Sequence, residues 1–271
     1  MEICEGLKID RLEFTFDVPE GFPTFGNVSN VTQSQADILA QASAFFGRPV
    51  TRGPKPFFYQ MQLTDDVMIY FSDRRGENAN PVCGKLIVGS KTSNDIPFTK
   101  IISRVKPFLP SWVLLRRLCR IDIAADRMIP FSEFCQNIAP LGLEKAATYS
   151  NFYASFGESP SRPETFQFGK GDVVLRLYDK QKEQKVDHAW SRAEFQFRGQ
   201  IIRHAGNAPN NASCYKTLQR LVAHGLRFWR PLKEEAPAGN SSYAYSSDYW
   251  LELFSLLAKR AEKLSKNVYY V

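Results

Sequence analysis

The sequence predicts an α+β protein made of tandem β-α-β-β-β-α units, with antiparallel sheets flanked by helices and one further helix near the C-terminal end. Three observations predict it. Short runs of alternating apolar and polar residues, the period of a half-buried strand, are interspersed with segments of helical period. The order of these runs occurs twice, over residues 1–110 and 111–230, with one extra short strand in the second half. Each half opens with an Ile-Asp strand, Ile9-Asp10 and Ile121-Asp122, and each ends its last strand with a glycine, Gly89 and Gly199.

The elements follow in order. Residues 7–17 alternate as a strand, with Leu7 and Ile9 in one phase and Leu12, Phe14 and Phe16 in the other, which predicts a bulge near Asp10-Arg11. A loop rich in Pro and Gly covers 18–30. Thr32 or Ser34 can cap a helix through Phe46, ended by Gly47 and Pro49. Strands are predicted at 57–63, 67–72 and 85–90, then a helix over 96–105 stopped by Pro107 and Pro110. In the second half, strands are expected at 119–128, 148–156, 165–168, 173–179 and 190–198. Helices are expected at 131–138 and 211–224, the latter ending at Gly225. Residues 231–247, rich in Pro, Ala, Gly and Ser, read as a linker before an amphipathic helix over 248–271 that carries Lys259, Arg260, Lys263 and Lys266.

Composition narrows the function. With 271 residues, 44% of them hydrophobic, the chain can bury a substantial core as one large domain or two of ordinary size. Thirty-five Lys+Arg against 28 Asp+Glu give a net charge of +7, which favours a polyanionic partner. The five cysteines, Cys4, Cys83, Cys119, Cys135 and Cys214, contain no Cys-x-x-Cys pair, so they support neither a disulfide framework nor a zinc site and read as reduced thiols. Glu2, Glu5, Lys8 and Asp10 stand where a signal peptide would be apolar, and no apolar run approaches the ~20 residues of a membrane span, so a cytoplasmic location is expected.

Three strands carry chemistry on one face each. Asp122, Ala124 and Asp126 alternate with Ile121, Ile123 and Ala125; Arg176, Tyr178 and Lys180 alternate with Leu175, Leu177 and Asp179; Arg192, Glu194, Gln196 and Arg198 alternate with Ala193, Phe195 and Phe197. Taken singly, each has an ordinary explanation: a packing tyrosine, or a carboxylate paired with Arg120 or Arg192 across strands. Taken together they supply the parts of a phosphoryl-transfer site. A tyrosine that attacks a phosphodiester must lose a proton held with a pKa of ~10, and Arg176 and Lys180 are expected to favour the phenolate. A divalent ion, Mg²⁺ or Mn²⁺, would neutralise the phosphate oxygens, with Asp122 and Glu194 as first ligands and Asp126 next. The chain contains no Gly-x-x-x-x-Gly-Lys-Ser/Thr loop, Gly-x-Ser-x-Gly elbow or His-Glu-x-x-His, and His188, His204 and His224 are isolated.

The segments Arg120-Ile121-Asp122-Ile123-Ala124-Ala125-Asp126, Phe166-Gln167-Phe168-Gly169, Leu175-Arg176-Leu177-Tyr178-Asp179-Lys180 and Arg192-Ala193-Glu194-Phe195-Gln196-Phe197-Arg198-Gly199 resemble the replication initiation factor family. That family comprises plasmid rolling-circle initiators, filamentous-phage replication proteins and related relaxases. The resemblance spans about residues 6–230, with its distinctive motifs in the second half. It implies a nickase in which Tyr178 forms a 5′-phosphotyrosyl link and frees a 3′-hydroxyl, with the phosphodiester's energy kept for rejoining. Asp122, Glu194 and Asp126 match acidic motif positions, and the chain lacks the His-apolar-His pair of better-known rolling-circle nickases. The partners implied are single-stranded or hairpin origin DNA, a host helicase and a second copy of the chain. The alternative is an accessory protein that binds an origin or hairpin without cutting it, using Lys170, Arg192, Arg198 and the basic C-terminal helix on phosphates. An RNA-binding reading finds no aromatic ribonucleoprotein motif in the sequence.

Overall fold

The computed structural model describes residues 6–17, 34–54, 57, 59–71, 83–91, 101–143, 146–148, 165–205, 214–232 and 247–254. In chain order the elements are β1 (Gly6–Asp17), α1 (Gln35–Phe46), β2 (Val50–Arg52), β3 (Tyr59–Thr64), β4 (Val67–Phe71), β5 (Cys83–Gly89), α2 (Ile101–Val105) and β6 (Leu114–Arg127). They continue with α3 (Phe131–Ile138), β7 (Ala146–Thr148), β8 (Thr165–Phe168), β9 (Val173–Asp179), α4 (Lys180–Gln184), β10 (Ser191–Arg198), α5 (Gly199–Ala205), α6 (Cys214–Phe228), β11 (Trp229–Pro231) and α7 (Asp248–Leu253). The class is the predicted α+β. Hydrogen-bonded neighbours run β2-β3-β4-β5-β1-β6-β10-β9-β8, and β11 with β7 forms a separate pair. Every pairing whose register is defined is antiparallel.

The chain divides into two compact units, and the division does not fall at residue 110. One unit is residues 11–120 with 207–211; the other joins residues 1–10 to 121–206 and 212–271. Both long strands are therefore shared. β1 changes unit between Asp10 and Arg11, the place where the apolar phase of its sequence shifts, and β6 changes unit between Arg120 and Ile121.

In the unit of residues 11–120, alternation drives Leu12, Phe14 and Phe16, Met61 and Leu63, Val67, Ile69 and Phe71, and Leu86 and Val88 into the core. Phe16, Phe46 and Phe71 gather round Trp112 with ring centroids 5.3–5.8 Å apart. α1 begins where expected: the Ser34 hydroxyl accepts the Asp37 N–H and the Asp37 carboxylate accepts the Ser34 N–H, each at 3.2 Å. It ends at Gly47, whose φ of 61° suits glycine.

In the other unit, Ala193, Phe195 and Phe197 of β10 and Leu175 and Leu177 of β9 face inward. Phe195 meets Trp250 and Phe254 at 5.7 and 5.3 Å, so the C-terminal helix α7 is part of this core. The predicted linker is anchored at both ends. Pro231 closes β11 and accepts the Ser247 N–H at 2.8 Å, while 233–246 lies outside the described residues. The basic residues of the predicted helix beyond 254 lie outside them too.

Two predicted boundaries move for physical reasons. α6 continues through Gly225 to Phe228, because this glycine makes room for a neighbour instead of ending the helix: a Cβ there would stand 3.0 Å from the Phe195 ring. Lys180 is not on a strand face. It opens α4, which Asp179 caps by accepting the Lys182 N–H at 3.0 Å. The three-residue strands β2 and β11 escaped prediction because three residues show no alternation; β7 meets the strand predicted at 148–156 only at Thr148, and the rest of that strand lies outside the described residues. Neither Cys119 nor Cys135 is in a disulfide.

Gly84 of β5 lies under the Phe16 ring, where a Cβ would come within 1.9 Å of a ring carbon. Gly84→Ala is expected to cost about 1–3 kcal/mol through forced overpacking, read as a lower urea midpoint with unchanged slope.

Candidate active site

The polar faces of β9 and β10 coincide because the two strands pair with Arg192 opposite Tyr178 and Glu194 opposite Arg176. Side chains of one parity on both strands therefore share a face. Across this face the Tyr178 hydroxyl donates to Glu194 Oε2 at 3.1 Å. Gln196 Nε2 donates to Glu194 Oε1 at 2.7 Å, and Arg198 Nη2 donates to Gln196 Oε1 at 2.7 Å. The Arg176 guanidinium stands 3.8 Å from Glu194 Oε1. The result is a hydrogen-bonded line from phenol to guanidinium along β10, with the carboxylate of Glu194 held between a tyrosine and an amide.

A second cluster adjoins it through Arg192. Its Nε and Nη2 donate to the two oxygens of Asp126 at 2.6 and 2.9 Å, and its Nη1 donates to Asp10. Lys8 Nζ donates to Asp126 Oδ2 at 3.0 Å. Asp126 is fully buried. Burial alone would raise its pKa, but the fork of Arg192 and the ammonium of Lys8 hold it below the usual carboxylate range. Both of its oxygens are thus occupied by cations, which makes Asp126 the anchor of an ion cluster and takes it out of the expected metal set. Lys8 and Asp10 are site residues that sequence reasoning missed. Their alternation with Leu7 and Ile9 was visible, but their partners lie more than 100 residues away.

Asp122 and Glu194 are the other two acids of the expected set, and both oxygens of Glu194 already accept neutral donors, from Tyr178 and Gln196. Asp122 shares the face of β6 that Asp126 occupies, and Asp126 meets the face of β10 that carries Glu194, so alternation puts both acids on one face. Oxygen donors of this kind suit a hard divalent cation. Among the described residues, no group of three or more His, Cys, Asp or Glu side chains is gathered to hold a metal, so the three-carboxylate set expected from sequence does not assemble.

The environment of Tyr178 reverses one expectation. The side chain is only 3% exposed, and its pKa is pushed well above 10, first by burial and next by the charge of Glu194, with Arg192 opposing. Arg176 and Lys180 do lie over the ring, at 5.2 and 5.5 Å from its centre. They do not produce a phenolate, because Lys180 is paired with Glu183 and Arg176 sits by Glu194. The phenol is held protonated, with its acceptor already in place.

The expected DNA contacts separate. Arg192 is buried in the ion cluster, and Arg198 supports Gln196 at the far end of β10. Lys170 is exposed in the hairpin turn between β8 and β9, and Tyr178 stands five residues into β9, roughly 17 Å along the strand from where it begins.

No family model matches the chain, and no curated protein does. Among solved structures it is similar to the rolling circle replication initiator protein from Geobacillus stearothermophilus, with a TM-score of 0.51 and 16% identity over 94% of this chain and 97% of that one. That likeness shows a shared fold. No described helix is long and apolar enough to cross a membrane.

Asp126→Asn would leave the buried Arg192 guanidinium with Asp10 alone as counter-charge, a change expected to cost about 3 kcal/mol in urea unfolding. Because the folded pKa of Asp126 lies below its unfolded value of ~3.9, the cluster stabilises fully above that pH and less as pH falls through the folded pKa. The wild-type midpoint should therefore drop on acidification below about pH 4, and the variant should lack that component.

Proposed function

We propose that the chain is a rolling-circle replication initiator that nicks one DNA strand through Tyr178. The observation that carries this reading is the 3.1 Å hydrogen bond from the Tyr178 hydroxyl to Glu194. It joins a nucleophile to a proton acceptor on a sheet face that also holds Arg176, in a fold similar to that of a replication initiator.

The chemistry follows from these groups. Since the phenol is protonated at neutral pH, it must lose its proton as it attacks, and Glu194 takes it. The phenolic oxygen bonds to phosphorus, the bond from phosphorus to the 3′ oxygen breaks, and that oxygen takes a proton from water to become a 3′-hydroxyl, while Glu194 returns the phenol's proton to solvent. One phosphodiester is exchanged for another, so the step needs no ATP. Gln196 keeps Glu194 turned toward the phenol, and Arg176 is the cation nearest to receive charge developing on the phosphoryl oxygens. Asp122 and Glu194 are the carboxylates we assign to Mg²⁺ or Mn²⁺, which when bound supplies further neutralisation of those oxygens. Origin DNA, single-stranded or extruded as a hairpin, is the substrate, and a host helicase and a second copy of the chain are the partners this role would call for.

The burial of the hydroxyl favours a second reading, an accessory protein that binds the origin without cutting it. One experiment separates the two. Wild-type protein with Mg²⁺ or Mn²⁺ should relax a supercoiled plasmid carrying the DNA that flanks its own gene and should remain covalently attached to labelled strand. Tyr178→Phe should give no adduct, and chelation should abolish cutting. Sequence-specific binding by wild-type protein with no adduct under any metal would establish the accessory reading instead.

Glu194→Gln is expected to slow adduct formation by about 10²–10⁴-fold. Its residual rate should climb about tenfold per pH unit between pH 7 and 9, because only the phenolate reacts and its pKa lies above that window. The wild-type rate should climb less steeply.

A further inference from the structure

The unit of residues 11–120 repeats the site's register without its acid. In the catalytic unit, Thr165 pairs with Tyr178 and Tyr178 with Arg192; in the next row, Gln167 pairs with Arg176 and Arg176 with Glu194. In the other unit, Gln60 pairs with Tyr70 and Tyr70 with Lys85; in its next row, Gln62 pairs with Met68 and Met68 with Ile87. Each tyrosine is the last residue but one of its strand, and each faces a cation on the adjacent strand. That cation reaches a buried carboxylate: Arg192 bonds Asp126, and Lys85 Nζ donates to Glu13 Oε2 at 2.8 Å. What differs is the second row. Arg176 and Glu194 are replaced by Met68 and Ile87, so Tyr70 has no proton acceptor in the place of Glu194.

The same face is open where the catalytic one is buried. Gln60, Met68, Tyr70, Lys85, Ile87 and Thr15 are half-buried and Thr51 and Gln62 exposed, while the alternate residues of these strands form the core. One row runs Thr51, Gln60, Tyr70, Lys85 and Thr15 across five strands, a span of about 19 Å at the usual strand spacing. Tyr70 stacks on Phe57 with centroids 5.9 Å apart and planes 27° apart. Beside it, Arg11, Lys85 and Arg120 surround the carboxylate of Glu13, and the side chains of Arg11 and Lys85 remain 36% exposed. Burial would raise the pKa of Glu13, yet these cations hold it below the usual carboxylate range, three cations meeting one carboxylate in this cluster.

We infer that this sheet face is a second, non-cutting binding site for single-stranded nucleic acid, with Tyr70 as a base-stacking platform and Arg11 and Lys85 on the phosphates. An open sheet bearing an aromatic pair and a cationic edge is complementary to a chain of alternating bases and anions. The choice of ligand rests on the DNA-processing reading above. A strand held here is not cut, because Ile87 cannot take a proton.

The test is equilibrium binding of a labelled mixed-sequence 20-mer, followed by anisotropy in EDTA with Tyr178→Phe as the parent protein, so that its outcome does not depend on nicking. Adding Tyr70→Ala should weaken binding about tenfold, the loss of one stacked base, whereas adding Tyr70→Phe should leave it within about twofold. Arg11→Gln should weaken binding and reduce the slope of log affinity against log salt by about 0.7, the value for one phosphate contact on a single strand. Gln62→Lys, which adds a cation at an exposed position, should tighten it. Thermal melting checks that each variant is folded. Unchanged affinity in Tyr70→Ala and Arg11→Gln, or equal preference for duplex of the same sequence, would overturn the assignment. Loss of the nicking adduct in wild type with these binding effects intact would overturn the nickase and leave this site standing.

Discussion

The fork between Arg192 and Asp126 is the constraint on which the unit that holds Tyr178 depends. A guanidinium and a carboxylate are both taken out of water, and only near-ideal geometry with further partners makes that tolerable. Both are present: two hydrogen bonds of 2.6 and 2.9 Å, with Lys8 and Asp10 completing the cluster. The fork also sets a side-chain alignment. It holds β10 against β6 at one point, and the pairing of β10 with β9 then brings Glu194 to the Tyr178 hydroxyl.

This arrangement divides the labour among the acids. Asp126 is neutralised by two cations and serves the scaffold. Glu194 faces a phenol, an amide and one more distant guanidinium, so no cation is forked onto its oxygens. The phenol beside it is held protonated, because burial and the neighbouring carboxylate both oppose its ionisation.

Much of this was legible in the sequence. Alternation in 119–128, 173–179 and 190–198 placed the polar residues on strand faces, and the faces of the last two coincide as expected. The Ser34 cap and the glycine at 47 were legible because capping is local. What could not be read was anything set by pairing across long separations: that Asp126 would be consumed by Arg192 and Lys8, and that burial with Glu194 would outweigh the cations near Tyr178. Lys180 was misplaced because a strand pattern does not reveal where Asp179 will cap a helix. Gly225 was misread because close packing and helix termination use the same residue.

The sharing of β1 and β6 carries a consequence for assembly of the molecule. Residues 1–10 complete a unit whose remainder begins at 121, and β6 must be made before the unit that starts at Arg11 has all its strands. Neither unit is a single contiguous stretch of chain. As the chain emerges during synthesis, the strands of residues 11–120 are all present once residue 120 is made, whereas the unit that owns the first ten residues waits for nearly the entire polypeptide, so the unit begun first is completed last.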